Sequence, residues 1–573
     1  MIMRKLYMIL PAAMFLVASG FASAQNLDPT VEVRRTYEGK LLEAHKPQLS
    51  MSVPDSLTRF DLDFDYSVFE TPYKGSYEFN PYRLSMTPVQ SVRRPGKFYL
   101  RAGAGYELHP EFDLVWSPVQ MDRLRLDVYA NHRSFIGNYR GMQLKAEGQT
   151  EGQTGGLNKL VNNGNKNFGY DLFTNAGTHL RYDWLKGRLD FDAAFYEIAQ
   201  KDWIRKREFN ALDVNVGLSS KSDKEEYFLY DIKAAYRFAD DRMNLEQYAR
   251  TNEHMIGVDA RLGQVFGTAG NLFFDAGVNM AFYTGAAETS AGNFSLTPHY
   301  VFSLGRWNFD LGVRVSAIIP FKEGELFLTG GQYVYPDVTL SVIAIPDAMK
   351  AYIHVGGGEK LNTLSAILTD DRHADLSWSK GAALLDNSVE RVSATLGFEG
   401  RITSWFGYHL RGGYVNYKNM MLSGLYEMKA EDGTLLLPYA GYCACQSAFA
   451  SLDCHLNTES VDFNISTTYN HIWMKEPLNG LLKPAAFQGE AGVTYNWKRR
   501  IYAGVDCGWA TARISDSTIV PGWADLGVNL EYVINRKISL WARGGNLLNM
   551  SILRSPLYAE GGISGTIGIC VNL

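Results

Sequence analysis

The sequence predicts an all-β protein, a transmembrane antiparallel β-barrel of about 20–22 strands, with 16–22 as the permitted range. Three observations predict it. Period-two alternation of apolar and polar residues runs from about residue 97 to the last residue, short polar turns alternate with long polar stretches, and no apolar run is long enough for a spanning helix after the first 24 residues. A helical membrane protein is therefore excluded.

The amino terminus has the pattern of a secretory signal peptide. Arg4 and Lys5 precede an apolar run over 6–21, and Ala22-Ser23-Ala24 forms a cleavage site. We expect residues 1–24 to be removed and the mature chain to begin at Gln25. An uncleaved membrane anchor is the alternative, but the run is short and ends in the small residues that a signal peptidase needs.

Residues 25–96 differ from the rest of the chain. They contain seven prolines and sustain neither strand-like alternation nor a helical stripe. We expect an extended periplasmic or lumenal leader, part of which (60–95) lies at or inside the periplasmic mouth of the barrel.

Alternation is clearest over 306–318. Leu311, Val313 and Val315 fall on one face, and Asp310, Gly312 and Arg314 on the other. Successive side chains of a strand point to opposite faces, so one face is apolar and the other polar. Strands of 10–14 residues exceed the usual soluble length and match a tilted bilayer crossing. A soluble β-sandwich or propeller also alternates, but a propeller repeat is not found.

Hairpin connections fall into two classes. Short turns, such as those at 186–187, 305–306 and 498–500, should be periplasmic. Longer polar stretches, expected to be outer loops, occupy 134–166, 201–225, 358–388 and 419–436.

Composition agrees with a barrel. Mean hydropathy is −0.18, because only alternate residues would face lipid, and aromatic residues make up 13% of the chain. The net charge of −5 is weak for this length and no basic block stands out, so nucleic acid is not an expected partner.

The polar faces of the strands carry charged residues that we expect to face the lumen. A solvated, ion-paired wall is the alternative to a role in selectivity. These candidates are Arg125, Asp127, Asp190, Asp192, Lys233, Arg237, Asp310, Arg314, Glu399, Arg411 and Asp462.

Three of the five cysteines, Cys443, Cys445 and Cys454, lie close together in sequence, so a local disulfide is predicted among them. A metal site that includes His455 is the alternative, but a second ligand pair is absent from the sequence nearby, and we predict neither metal nor cofactor. The sequence has 11 histidines but no Gly-x-Ser-x-Gly, His-Glu-x-x-His or Walker-type motif, so an enzyme is not expected.

The carboxyl end resembles that of TonB-dependent receptors. The segment 532–549 ends in Asn546-Leu-Leu-Asn549 and is followed by 555–562 and a final apolar strand ending at Leu573. It is most similar to a Bacteroidetes group of receptor-like barrels, although the leader is too short for the full plug of such receptors. The last strand also resembles the signal for the barrel-assembly machinery, which usually ends in Phe or Trp.

The resemblance implies an outer-membrane location and a receptor-like or porin-like barrel for uptake of a nutrient. Implied partners are outer-membrane lipid, the barrel-assembly machinery, and either a TonB-like energy-coupling protein or a surface lipoprotein. Thr30-Val-Glu-Val33 could pair with the coupling protein, with an ordinary extended tail as the alternative. The alternative function is a non-transporting barrel that anchors or assembles surface proteins.

Export can be tested at the cleavage site. Amino-terminal sequencing of the protein from the outer-membrane fraction should begin at Gln25, and an Ala24→Leu variant should retain the signal, because the peptidase requires a small residue there. Recovery of wild-type protein that still carries Met1 would contradict the assignment.

Overall fold

A computed structural model describes residues 97–573 apart from 107–108, 147–157, 203–205, 222–227, 244–249, 267–269, 286–287, 322–326, 347, 375–384, 431–432, 475–479 and 561. The signal peptide, the leader and Thr30–Val33 lie outside these residues, so the predictions made for them stay predictions. Within the described part of the chain, no helix is long and apolar enough to cross a membrane.

The described chain is almost entirely strand. The first twelve strands are β1 (Phe98–Gly105), β2 (Glu111–Gln120), β3 (Leu124–Ala146), β4 (Asn158–Trp184), β5 (Gly187–Lys201), β6 (Lys206–Ser220), β7 (Phe228–Met243), β8 (Thr251–Val265), β9 (Asn271–Gly285), β10 (Ser290–Leu304), β11 (Trp307–Pro320) and β12 (Gly331–Ile345). The second half contains β13 (Met349–Leu361), α1 (Leu364–Asp370), β14 (Asn387–Thr403), β15 (Phe406–Ala430), β16 (Gly433–Asn457), β17 (Val461–Met474), β18 (Phe487–Trp497), β19 (Ile501–Ala510), β20 (Arg513–Ile514), β21 (Thr518–Val520), β22 (Trp523–Val533), β23 (Ile538–Gly545) and β24 (Ser564–Asn572).

Twenty-two of these strands form one closed barrel. Each pairs antiparallel with its sequence neighbour, β19 pairs directly with β22, and β24 pairs with β1 to close the cylinder. At the seam Leu100 lies opposite Val571, and the backbone groups of Phe98 and Leu573 exchange two hydrogen bonds of 3.1 and 2.8 Å. The predicted fold class and strand number are confirmed.

The outer surface has the layering expected for contact with lipid. Near the short turns, exposed aromatic side chains include Trp116, Trp307, Trp405 and Trp497, and near the opposite rim they include Phe282, Phe321, Trp473 and Phe487. Between the two rings the exposed side chains are largely aliphatic. Two aromatic girdles around an apolar band are typical of outer-membrane barrels.

Several predicted loops are wrong in part, because strands continue through them. β3 and β4 occupy most of 134–166, β6 occupies 206–220, β15 extends to Ala430, and β16 begins at Gly433. The projecting hairpins lie beyond the apolar band, where both faces of a strand meet polar surroundings, so alternation no longer marks them. The loop predicted at 358–388 is confirmed, since β13 ends at Leu361 and β14 begins at Asn387.

The two faces of β6 can be separated by neighbouring substitutions. Val216 is 39% exposed on the outer face, whereas a Cβ added at Gly217 would meet nothing nearer than the Asp190 Cβ at 3.7 Å. Val216→Arg should cost about 1 kcal/mol near the interface and up to about 4 kcal/mol near the midplane, and Gly217→Arg should cost less.

The measurement is the unfolding free energy in refolding experiments with lipid vesicles. Equal losses for Val216→Arg and Gly217→Arg would contradict the assignment of the faces. The neighbouring residues Leu311 and Gly312 on β11 are less suitable for this comparison. A Cβ added at Gly312 would lie 2.6 Å from the His299 Cβ, so an arginine there would clash whichever way it faced.

Candidate functional site

The outer mouth of the barrel contains inward-folded loop residues, and we call the segments 362–374 and 385–386 between β13 and β14 the cap. The cap includes α1, whose amino terminus is fixed by Thr363, where the hydroxyl accepts a hydrogen bond from the Ala366 amide at 3.2 Å. Threonine is favoured at this position because its oxygen satisfies a free amide of the first turn. A buried helix therefore forms inside a predicted loop.

The apolar face of α1 packs against the inner surface of the barrel. Leu364, Ile367 and Leu368 are at most 1% exposed. They belong to one buried cluster with strand residues that have small side chains, Ala211, Ala239, Ala281 and Ala291. Alanine at these positions leaves room for a helix beside the wall, so strand sequence and cap are complementary.

Glu253 on β8 binds the start of α1. Its carboxylate accepts hydrogen bonds from the Ser365 hydroxyl at 2.5 Å, the Ser365 amide at 3.3 Å and the Tyr283 hydroxyl at 2.9 Å. The Leu364 amide in turn donates to the Tyr283 hydroxyl at 3.3 Å. Glu253 is completely buried, so losing these donors would leave a desolvated carboxyl group with fewer partners.

The far end of the cap is held by arginines. Arg207 on β6 donates to the backbone carbonyls of Arg372 and Ala374 at 3.1 and 2.8 Å, and its Nε lies 3.3 Å from Asp241. Arg372 itself lies 3.3 Å from the carboxylate of Asp171 on β4. These contacts anchor the cap to one side of the barrel, from β4 to β8.

The loop between β23 and β24 joins the cap. The His373 ring stacks on Tyr558 with centroids 3.8 Å apart, and the Tyr558 hydroxyl donates to Asp202 at 2.5 Å. The Ser555 hydroxyl donates to Asp371 at 2.7 Å. Two loops distant in sequence thus form a single packed layer across part of the mouth.

Arg554 fixes the base of that second loop. It is 8% exposed and donates to Asp525 at 2.7 Å and to Glu560. Burial by itself would lower the pKa of Arg554, but the carboxylates of Glu560 and Asp525 raise it above its usual range. The guanidinium therefore stays charged and its two pairs persist at any pH at which the carboxylates are ionised.

The Asn-Leu-Leu-Asn motif is a structural turn after β23. Asn546 and Asn549 both have positive φ (47° and 51°), which asparagine tolerates better than most residues. The Asn546 side chain donates to the Met550 carbonyl at 2.9 Å and accepts from the Met550 amide at 3.0 Å, and Asn549 accepts hydrogen bonds from Arg140 of β3. The motif therefore orients the loop that contacts the cap.

Phe327, in the loop between β11 and β12, also has a positive φ and also contacts the cap. It is 1% exposed, lies beside Tyr283 with ring centroids 5.9 Å apart, and its amide donates to the Leu385 carbonyl at 2.8 Å. Its φ of 53° is unfavourable for a bulky residue. Packing against the cap thus holds a strained backbone in place.

Most of the predicted wall residues form ion pairs. The pairs are Arg125–Asp127 (2.7 Å), Asp190–Arg181 (3.0 Å), Lys233–Asp231 (3.7 Å), Arg237–Asp213 (2.5 Å), Arg314–Glu359 (2.8 Å) and Glu399–Lys350 (3.1 Å). Asp192 and Asp310 instead form hydrogen bonds with histidines, His179 at 2.5 Å and His299 at 2.7 Å. For Arg411 and Asp462 no ion pair is described. The pairs favour the ion-paired wall, and a role in selectivity stays a prediction.

The five cysteines are free thiols in the structure. Cys445 and Cys454 lie nine residues apart on β16, which separates them by about 30 Å along the strand, so they cannot bond to each other there. His455 is farther still from Cys445. Cys443 is farther from Cys454 than Cys445 is, so only a Cys443–Cys445 disulfide stays a prediction, as an oxidised alternative to the two free thiols in the structure.

Sequence reasoning missed the cap. It placed a long polar loop at 358–388 and predicted no helix within it, although Thr363 followed by Leu364, Ile367 and Leu368 has the capping residue and the three-to-four spacing of a short amphipathic helix. It also missed Glu253, whose partners come from β9 and the cap.

Comparison with known proteins shows the fold. No family model matches the sequence, and no curated protein matches it. Among solved structures, the copper transporter OprC has a TM-score of 0.58 at 10% identity, covering 83% of this chain and 80% of that one. The ferric enterobactin receptor PfeA from Pseudomonas aeruginosa (mutant G324V) gives 0.56 at 10% identity, with the same coverage.

The FrpB iron transporter from Neisseria meningitidis gives a TM-score of 0.58 at 8% identity, covering 84% of this chain and 82% of that one. By name, these proteins are two transporters and a receptor. The chain therefore shares the barrel architecture of TonB-dependent receptors, and the predicted resemblance is confirmed at the level of the fold.

Seating of the cap can be tested at Ser365. Ser365→Val removes a hydroxyl donor from the buried Glu253 carboxylate, so it should destabilise the seated cap by about 1–3 kcal/mol. Hydrogen exchange of the α1 amides should then rise about five- to 150-fold. Thr369→Val is the matched control, because its hydroxyl donates only to the Ser365 carbonyl within the helix. Equal exchange in the two variants would exclude the Glu253 anchor.

Proposed function

We propose that the protein is a receptor-like barrel of the outer membrane that takes up a nutrient. The observation that carries this proposal is a 22-stranded barrel whose outer mouth contains a cap built from its own loops. A barrel this wide is too large for wall side chains to fill, since 16–18 strands already leave an aqueous channel. A wide conduit with a folded outer layer suits selective passage better than free diffusion.

The rival function, anchoring or assembly of surface proteins, needs a stable outer face but no conduit. The ion-paired wall favours uptake, because charged pairs on the inner face require water or polar cargo beside them. An enzymatic role has little support, since the neighbours in fold are receptors and transporters and the sequence lacks the catalytic motifs sought.

The remaining partners belong to the same proposal. A TonB-like protein would bind Thr30–Val33 by adding a strand to its own sheet, and the leader, with residues 60–95 at the periplasmic mouth, would limit leakage. The barrel-assembly machinery would recognise the final strand, and a surface lipoprotein could cover the outer face. Membership of a Bacteroidetes-type group and the lack of a full plug stay predictions.

Replacing Leu364–Asp370 with a Gly/Ser segment of equal length should increase single-channel conductance in planar bilayers, because the apolar face that seats the cap is lost. Wild type and Thr369→Val serve as controls, and heat-modifiable gel mobility verifies that each barrel is closed. The same proteins in liposomes should show solute-induced swelling that is fastest for the replaced cap.

Two further deletions separate the parts of the proposal. Removing 26–90 should raise conductance if the leader occludes the periplasmic mouth, and removing 30–33 should abolish energised uptake but leave conductance unchanged. If neither the cap replacement nor the leader deletion changes conductance or swelling, a conduit is excluded and the anchoring function is favoured.

A further inference from the structure

Four sulfur-containing side chains meet on three adjacent strands, at the level where β17 ends and β15 and β16 continue outward. Met420 on β15 lies opposite Cys443 on β16, and Cys445 lies opposite Met474 on β17. Cys443 and Cys445 are two residues apart on one strand, which places both on the same face. A register irregularity between Tyr417 and Met420 brings Met420 into line with them. We call Met420, Cys443, Cys445 and Met474 the sulfur cluster.

The cluster is compact and largely buried. The Cys445 sulfur lies 3.4 Å from the Met420 sulfur, and the Cys443 and Met474 side chains pack against the same buried cluster. Cys445 is 4% and Met420 7% exposed, whereas Cys443 and Met474 are half-buried at the edge of the same apolar cluster. The cluster thus has an enclosed side and a more accessible side.

Its surroundings are apolar. Ile472 and Phe449 lie on the same face of the sheet as the cluster, nearer the middle of the barrel wall. Leu481, from the loop between β17 and β18, packs against the cluster. The position is beside Trp473 of the outer aromatic girdle, so it lies at the outer boundary of the bilayer. A site there lies nearer the outer rim than the middle of the spanning wall, because Met474 is the last residue of β17.

Ordinary packing is the first explanation to weigh, since cysteine and methionine are both frequent in cores. Packing alone requires no convergence of sulfurs, and leucine or valine would fill the same space. Two sulfurs bound to one metal at about 2.3 Å each in tetrahedral geometry are separated by about 3.8 Å. The 3.4 Å spacing of Met420 and Cys445 therefore needs only a small adjustment of a flexible methionine to admit an ion.

The donor set determines which ion fits. Thiolate and thioether are soft ligands, and a thioether carries no charge to attract a hard divalent cation. The described part of the chain contains no group of three or more His, Cys, Asp or Glu residues placed to hold a metal, so carboxylate and imidazole donors do not compete at this cluster. This chemistry selects Cu(I) over Zn²⁺, Mg²⁺ or Ca²⁺.

We propose that the sulfur cluster binds a single Cu(I) ion through the thiolates of Cys443 and Cys445 and the thioethers of Met420 and Met474. Binding displaces the thiol protons to solvent, and no change of oxidation state is involved. The apolar residues around the cluster exclude water, and the half-buried pair provides entry. Only the role of the bound metal as cargo rests on the proposed uptake function.

The test is a titration of the purified full-length protein with Cu(I) under reducing, oxygen-free conditions, in competition with a chromogenic Cu(I) chelator. Wild type should bind one tight equivalent, and a C443S/C445S variant should lose it. C454S/C507S is the matched control, because it removes two thiols from β16 and β19 outside the cluster and should retain the equivalent. M420L/M474L preserves the packing volume and should weaken binding.

X-ray absorption at the copper edge should show only sulfur neighbours in wild type. Zn²⁺ under the same conditions should not compete, whereas Ag⁺, which has the same charge and softness, should displace copper. Retention of the tight equivalent by C443S/C445S, or its loss in C454S/C507S, would overturn the site. Unchanged binding by M420L/M474L would overturn the thioether ligands.

Copper transport is measured separately, as copper entry into liposomes that contain the barrel. Copper entry that is slowed by C443S/C445S but not by C454S/C507S supports the metal as cargo. Binding with no copper entry into liposomes would overturn copper as cargo and leave the binding site assigned.

Discussion

Closure of the backbone hydrogen-bond network is the constraint on which the rest of this structure depends. In the hydrocarbon of a bilayer an unpaired amide or carbonyl costs several kcal/mol, so a sheet can cross only as a cylinder without an edge. The pairing of β24 with β1 meets that requirement. Strand alternation, the short turns and the outer girdles all follow from wrapping a two-faced sheet around an interior.

Width is the second consequence of closure. Twenty-two strands enclose more space than side chains on the wall can fill, so the chain needs other material at the mouth. The cap provides it by combining an apolar helix face with buried polar anchors. Apolar packing supplies attraction without direction, while Glu253 and Arg207 fix the orientation in which α1 is seated.

Alternation allowed the spanning strands to be located from the sequence, because lipid on one side imposes a strict period of two. The same signal failed for the tops of β3, β4, β15 and β16, which stand in polar surroundings on both faces. The cap was harder, since its helix is stabilised by residues from four or more strands that no local pattern connects. Glu253 illustrates the limit: it reads as an ordinary polar residue at a strand start and becomes an anchor only through Tyr283 and Ser365.

The projecting hairpins carry a hazard that the chain itself reduces. β21 pairs in parallel with the first residues of β4, and Gly424 of β15 forms a bridge to Leu481. Exposed strand edges are templates for pairing with another chain. In a crowded membrane, where copies diffuse side by side with their hairpins at one height, bare edges would join neighbours into ribbons. The chain's own loops occupy part of these edges, which leaves fewer open backbone groups for such pairing, so the outer surface can vary in sequence with less risk of polymerisation.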